Sequence, residues 1–267
     1  SIMIDEVNTL KLLNVSEFNW FRSAKENGPE NFSWLIRSFK LSVILLLFVP
    51  FTTASDLFAQ ETQRRPNIVM LLADDMGYSD MGSFGSEIKT PNFDNLANEG
   101  VRFTNFYTHA TCSPTRSMLL SGVDTHINGL GNMDEWTAPN QQGVPGYEGH
   151  LNKQIATLPE LLKQAGYHTY MVGKWHLGKA PDLIPAARGF ERDFTLLDGA
   201  GSYWDMTSFT AANPKSVYTE DGKYLTELPG DYYATKTYTD KLIGFIEDSR
   251  KDGKPFFAYV SHQAPHD

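Results

Sequence analysis

From residue 67 onward the chain alternates apolar runs with amphipathic ones. NIVMLLADD (67–75) is a continuous apolar run closed by two acids. Continuous rather than alternating apolarity predicts a parallel strand covered on both faces. TPNFDNLANEG (90–100) predicts a helix, with Thr90 as N-cap, Pro91 in the first turn and Gly100 as the stop. VRFTNFY (101–107) alternates and is rich in β-branched and aromatic residues, so it predicts a strand. In TLPELLKQAGY, Thr157 and Glu160 stand at capping-box spacing ahead of Leu161 and Leu162. HTYMVG (168–173) and PFFAYVS (255–261) read as further strands. YTDKLIGFIEDSR (238–250) reads as an amphipathic helix with Leu242, Ile243 and Ile246 toward the core. Residues 198–234 are rich in Gly, aromatic and polar residues and predict long surface loops. Strands alternating with helices imply an α/β fold with a mainly parallel sheet, in which ligands collect at the carboxyl ends of strands.

The first 60 residues follow another pattern. Arg37 and Lys40 precede the apolar run LSVILLLFVPF (41–51), and small residues follow it. About eleven residues is short for a membrane span. A basic flank, a short apolar stretch and a small-residue exit together form a signal-peptide-like segment, about 37–59, within an N-terminal extension over 1–60. The expected location is therefore exported, periplasmic or secreted, with no stable membrane span. A cytoplasmic location is the alternative if the leader is an artefact.

Net charge is −9, with 23 basic and 32 acidic residues. That argues against a protein whose main task is gripping nucleic acid, because phosphate contacts need basic surface. It leaves room for an anionic small substrate in a local basic pocket. Cys112 is the only cysteine, so no internal disulfide can form.

Chemistry-bearing residues gather where the strands end. Asp74 and Asp75 close the first strand, and two adjacent carboxylates suit a hard cation such as Ca²⁺ or Mg²⁺, or else a solvated turn. Cys112 precedes a predicted helix, with Ser113 as its cap, Pro114 at its first position and Gly122 at its end. A thiol there meets free N–H groups that favour anions. Arg116 lies one turn on, with a guanidinium fork that matches tetrahedral oxyanions. GKWHLG supplies Lys174 and His176, which share one side if the chain stays extended. SHQAPHD supplies His262 and His266. Taken singly, a lone cysteine, a Lys-x-His and a histidine are each more often structural. Taken together they describe a metal-assisted site for a sulfate or phosphate ester.

CSPTR (112–116) resembles the Cys-x-Pro-x-Arg modification motif of the sulfatase family, and GYHTYMVGKWHLG (166–178) resembles that family's second signature. PNIVMLLADDMGYSDMGSFG, TPNFDNLANEGVRFTNFY and PGYEGHLN are similar to bacterial arylsulfatases, and the resemblance runs from about Arg65 to Asp267. It implies an alkaline-phosphatase-like α/β/α sandwich with a mainly parallel central sheet, over 65–267. It implies that a maturation enzyme oxidises Cys112 to Cα-formylglycine. The hydrated aldehyde then attacks sulfur with one oxygen and expels sulfate with the other. Asp74, Asp75 and the modified Cys112 would ligate Ca²⁺, with Mg²⁺ the lesser alternative. Arg116 would steady the formylglycine, and Lys174 would bind sulfate. His176 would hydrogen-bond the diol, and His266 would sit near the leaving group and substrate. His262 matches no family position and reads as structural.

The family's remaining metal ligands and its second sulfate-binding lysine lie beyond Asp267 by the same resemblance. The expectation is therefore an N-terminal fragment, incomplete in fold and itself inactive. A phosphonate or phosphate monoester hydrolase of the same superfamily is the closest rival reading. A non-catalytic binder of sulfated glycans is a rival of a different class.

Overall fold

The computed structural model describes residues 65–210 and 213–266. The signal-peptide-like segment at 37–59 lies outside the described residues. A six-stranded sheet forms the middle layer, built from β1 (Ile68–Asp74), β2 (His168–Lys174), β3 (Arg192–Leu196), β6 (Tyr218–Glu220), β7 (Lys223–Tyr224) and β8 (Phe256–Pro265). Its order is β1-β8-β2-β3-β6-β7, and β4 (Thr207–Thr210) and β5 (Asn213–Lys215) form a separate ribbon. β1, β8, β2 and β3 run parallel, while β6 and β7 are antiparallel. Parallel neighbours need crossovers, and the crossovers carry the helices. These are α1 (Pro91–Glu99), α2 (Cys112–Ser121), α3 (Thr125–Asn128), α4 (Leu158–Gln164) and α5 (Ala234–Ser249).

Each face of the sheet buries its own apolar cluster. One joins Leu119 and Leu120 of α2 and Leu158 and Leu162 of α4 to Met171, Phe257 and Tyr259. The other joins Tyr238, Leu242 and Phe245 of α5 to Tyr170, Val172 and Phe194. This is the α/β/α sandwich that the family resemblance implied, built on the mainly parallel sheet that the apolar runs predicted. Successive side chains of a strand point to opposite faces, so Met171 and Val172 serve different clusters.

Several local expectations need correction. Residues 101–107 are exposed and form no strand, because they find no ladder partner among the described residues. In α5 the buried positions are Ala234, Tyr238, Leu242 and Phe245, and Ile243 is 49% exposed. The helix begins a turn earlier than expected, which sets this stripe. Thr90 makes no capping bond to α1; its hydroxyl instead donates to Asp94 Oδ1 and accepts from the Gly82 N–H. Residues 198–234 are not all loop. Asp221 and Gly222 both take positive φ and join β6 to β7 as a tight hairpin, which puts Tyr218 in the core. At α4 the capping box forms as expected, Thr157 Oγ1 accepting from the Glu160 N–H and Glu160 Oε2 accepting from the Thr157 N–H at 2.7 Å.

One glycine fixes the middle of the sheet. Gly173 has φ +96°, and a Cβ there would lie 1.9 Å from the carbonyl oxygen of Ser261 on β8. Only a residue without a side chain lets β2 and β8 approach so closely just ahead of Lys174.

Candidate active site

The carboxyl ends of β1, β2 and β8 meet the N-terminus of α2. The α2 helix starts two residues earlier than Ser113 capping would give. Thr111 is the N-cap, in an extended conformation and without a side-chain cap, and Cys112 is the first helical residue. The Thr111 hydroxyl lies 3.2 Å from His109 Nδ1, and Thr115 Oγ1 donates to the Thr111 carbonyl at 2.8 Å. These contacts hold the turn, so Ser113 is not needed as a cap. Gly122 ends the helix as expected, at φ +67°.

Asp74 is the organising residue. Its carboxylate is 4% exposed and accepts from Arg116 Nη2 at 2.8 Å and from Lys174 Nζ at 2.6 Å. Burial alone would raise the Asp74 pKa, but the charges and hydrogen bonds of Arg116 and Lys174 outweigh it and hold the carboxyl below its ordinary value. Arg116 also donates through Nη1 to the Lys174 carbonyl at 3.0 Å and to Ser261 Oγ. Its guanidinium thus ties β1, β2 and β8 together. Burial works against the Arg116 charge, yet nearby Tyr259 and Asp74 favour it and leave its pKa raised. The sequence pattern matches this fork to an oxyanion; here its Nη donors engage Asp74, Ser261 and the Lys174 carbonyl, while Nε has no hydrogen-bond partner among the described residues.

Asp74, Cys112 and His266 each offer a ligand atom, and these atoms lie within 4.8 Å of one another. Asp75 is exposed, and its Oδ2 lies 3.5 Å from His266 Nε2. The Tyr203 hydroxyl donates to the His266 carbonyl at 2.7 Å and so ties the β8 end to the 198–206 loop. A cavity of about 730 Å³ opens over Asp74, Asp75, Cys112 and Arg116, with Phe103, Phe106 and Tyr107 among its lining residues. That volume suits a small organic ligand.

His176 reaches this region by another route than an extended chain. β2 ends at Lys174, Trp175 turns into the core, and His176 takes φ +57°. Asp75 has φ +58°. Apart from Asp221 in its hairpin, these are the described non-glycine residues with positive φ. Such strain persists where surrounding structure over-determines it, often at functional sites. His176 Nε2 lies 3.2 Å from both carboxylate oxygens of Glu135, a residue that no sequence spacing singled out. Burial lowers the His176 pKa; Glu135 opposes that, and the Lys174 and Arg116 charges lower it further. Hydrogen bonding to His176 holds Glu135 down at about 2. His262 packs against Tyr238 on the α5 side.

Two adjacent carboxylates fit a hard divalent cation as part of its shell. They offer at most about four oxygens, where Ca²⁺ takes about six to eight. The thiol of Cys112 is a poor donor for such an ion, whereas an oxygen in its place would be a good one.

A mostly parallel sheet between helix layers, with this constellation at its carboxyl edge, is an alkaline-phosphatase-like fold. The family model named Sulfatase matches residues 66–267, and the chain belongs to that family. It is 46% identical over 220 residues to an uncharacterized sulfatase of Schizosaccharomyces pombe, covering 78% of this chain and 39% of that protein. It is 39% identical over 207 residues to an arylsulfatase of Klebsiella aerogenes, covering 77% of this chain and 44% of the relative. Among solved structures, Ps i-CgsB superposes with a TM-score of 0.64 at 28% identity, over 76% of this chain and 46% of that one. The chain thus spans less than half the length of these relatives. No described helix is long and apolar enough to cross a membrane.

Proposed function

We propose that this chain carries part of the active site of an arylsulfatase-type enzyme, which hydrolyses a sulfate ester to inorganic sulfate and an alcohol or phenol. The observation that carries the reading is the meeting of Asp74, Cys112 and His266 within 4.8 Å, beside a buried Arg116 and Lys174. Oxidised to Cα-formylglycine by a maturation enzyme, Cys112 supplies a hydrated aldehyde, one oxygen to take the sulfuryl group and another to release it. Asp74, Asp75 and the modified residue 112 would hold Ca²⁺, which would supply charge stabilisation for the sulfate oxygens. Arg116 fixes Asp74 against β2 and β8. Lys174 places its ammonium at the same carboxylate and offers positive charge to sulfate. His176, kept neutral by burial, is the proton acceptor, and His266 at the β8 end is the proton donor to the leaving oxygen. Export fits the leader pattern at 37–59. Parallel kinetics on an aryl sulfate, an aryl phosphate and a phosphonate monoester test the reading, in an enzyme of the relatives' full length that carries this sequence and is co-expressed with a formylglycine-generating enzyme. Preference for sulfate is the expected result, and preference for either phosphorus ester would move the assignment to the rival class.

A further inference from the structure

We infer that Glu135 is a positioning residue that fixes the tautomer of His176, so that the proton-accepting lone pair lies on Nδ1. The inference rests on the role proposed above for His176. Its geometry starts in a short turn. Asp134–Trp136 is one turn of 3₁₀ helix, anchored by buried Met133. Asn132 brackets it, accepting from the Met133 N–H at 2.8 Å and donating to the Trp136 carbonyl at 2.8 Å. Thr137 Oγ1 donates back to the Met133 carbonyl at 3.2 Å. The Asp134 carboxylate packs on Gly149, where a Cβ would come within 2.4 Å of Oδ1. Glu135 is therefore presented from a braced turn rather than a free loop.

Both Glu135 oxygens stand 3.2 Å from His176 Nε2. An ionised carboxylate can only accept, so Nε2 must carry the hydrogen. The imidazole face rests on Gly199, where a Cβ would lie 2.6 Å from Cε1. The ring is thus held at one edge and one face. Nδ1 is buried with no hydrogen-bond partner among the described residues. A buried orphan nitrogen costs stability unless something else uses it. With Nε2–H committed to Glu135, a neutral His176 has one free lone pair, and it is on Nδ1. Once Nδ1 takes a proton, the carboxylate across the ring stabilises the imidazolium, as a third member does for an orienting pair. The charged groups that face His176 are Glu135 from the turn, Lys174 from β2 and Arg116 from α2.

Two readouts test this, the first without substrate. In the full chain labelled with ¹⁵N-histidine, long-range ¹H–¹⁵N correlation at pH 7 should show His176 protonated at Nε2 and bare at Nδ1. Glu135→Gln should keep that tautomer, because an amide oxygen still accepts. Glu135→Met should lose it. A wild-type His176 protonated at Nδ1 would overturn the inference. The second readout is turnover after maturation. Glu135→Gln should lower kcat about 10- to 100-fold with KM little changed, the size typical of a histidine's orienting partner. Its acid limb in kcat/KM should move to lower pH, since Glu135 favours the protonated ring. Unchanged kcat and an unmoved acid limb would also overturn it. Absence of any turnover from these 267 residues alone is what the sequence leads one to expect, and the tautomer, read independently of turnover, then decides the inference.

Discussion

Asp74→Asn and Lys174→Met should affect stability very differently, although both touch one ion cluster. Asp74 neutralises two cations, Arg116 at 1% exposure and Lys174 at 0%. Removing the carboxylate leaves both buried and uncompensated. Breaking a single buried pair in this way costs about 3–5 kcal/mol, so Asp74→Asn should lose at least that. For a folded region of this size that is roughly a 10 °C fall in Tm. Lys174→Met leaves the Asp74–Arg116 pair intact. One carboxylate oxygen goes short of a donor, about 1–3 kcal/mol, but a fully buried ammonium is replaced by an apolar side chain of similar length. The net loss should be at least about 2 kcal/mol smaller than for Asp74→Asn. The measurement is urea unfolding by circular dichroism at pH 7, with chelator present so that cation binding does not enter. The pH dependence has a definite sign. The folded-state pKa of Asp74 lies below its ordinary 3.8, so its contribution is complete above that value and fades as pH falls through the lowered pKa. Wild type and Asp74→Asn should therefore converge in acid. If Lys174→Met destabilises as much as Asp74→Asn, the cluster is not organised around the carboxylate.

Three further outcomes are expected. Gly173→Ala places a Cβ against the Ser261 carbonyl at a positive φ, and should cost about 2–4 kcal/mol in urea unfolding; a neutral effect would contradict the close β2–β8 approach. His168 bonds Glu191 at 2.8 Å and Asp252 at 2.7 Å through its two ring nitrogens; burial lowers its pKa, but these carboxylates raise it more. That stability is complete below about pH 6.5 and lost as pH rises through the raised folded value, so His168→Gln should flatten the stability curve above pH 6.5, and an unchanged slope would refute the clamp. Chelation should abolish turnover of the matured enzyme, and Ca²⁺ should restore it more fully than Mg²⁺; activity insensitive to chelator would count against the Asp74–Asp75 cation site.

The parallel core of the sheet was legible because its strands are apolar on both faces, and the α4 capping box because its two residues meet locally. The β6–β7 hairpin has a local signature as well: Asp221-Gly222 between short strands is a strong turn signal, set among glycines and aromatics that read as loop. Gly173 inside an apolar strand also hinted at a close approach. Other features had no local signature. The buried face of α5 depends on where the helix begins, and residues 101–107 carry a strand pattern without a ladder to join. Asp74, Arg116 and Lys174 stand out singly at strand and helix ends, but the ion pairs of Asp74 with the other two span 42 and 100 residues of sequence. Glu135 escaped for the same reason, since a solitary acid in MDEW resembles a solvated turn until the fold brings it to His176.

The central claim is that Cys112 is a precursor rather than a working thiol. A peptide mass spectrum tests it most directly, on protein co-expressed with a formylglycine-generating enzyme and then alkylated. Trypsin releases Phe103 to Arg116, which carries Cys112 and no other cleavage site. The account predicts a peptide in which the CH₂SH side chain has become an aldehyde, unreactive to the thiol reagent and captured by a hydrazide. A fully alkylated thiol at Cys112 would contradict it.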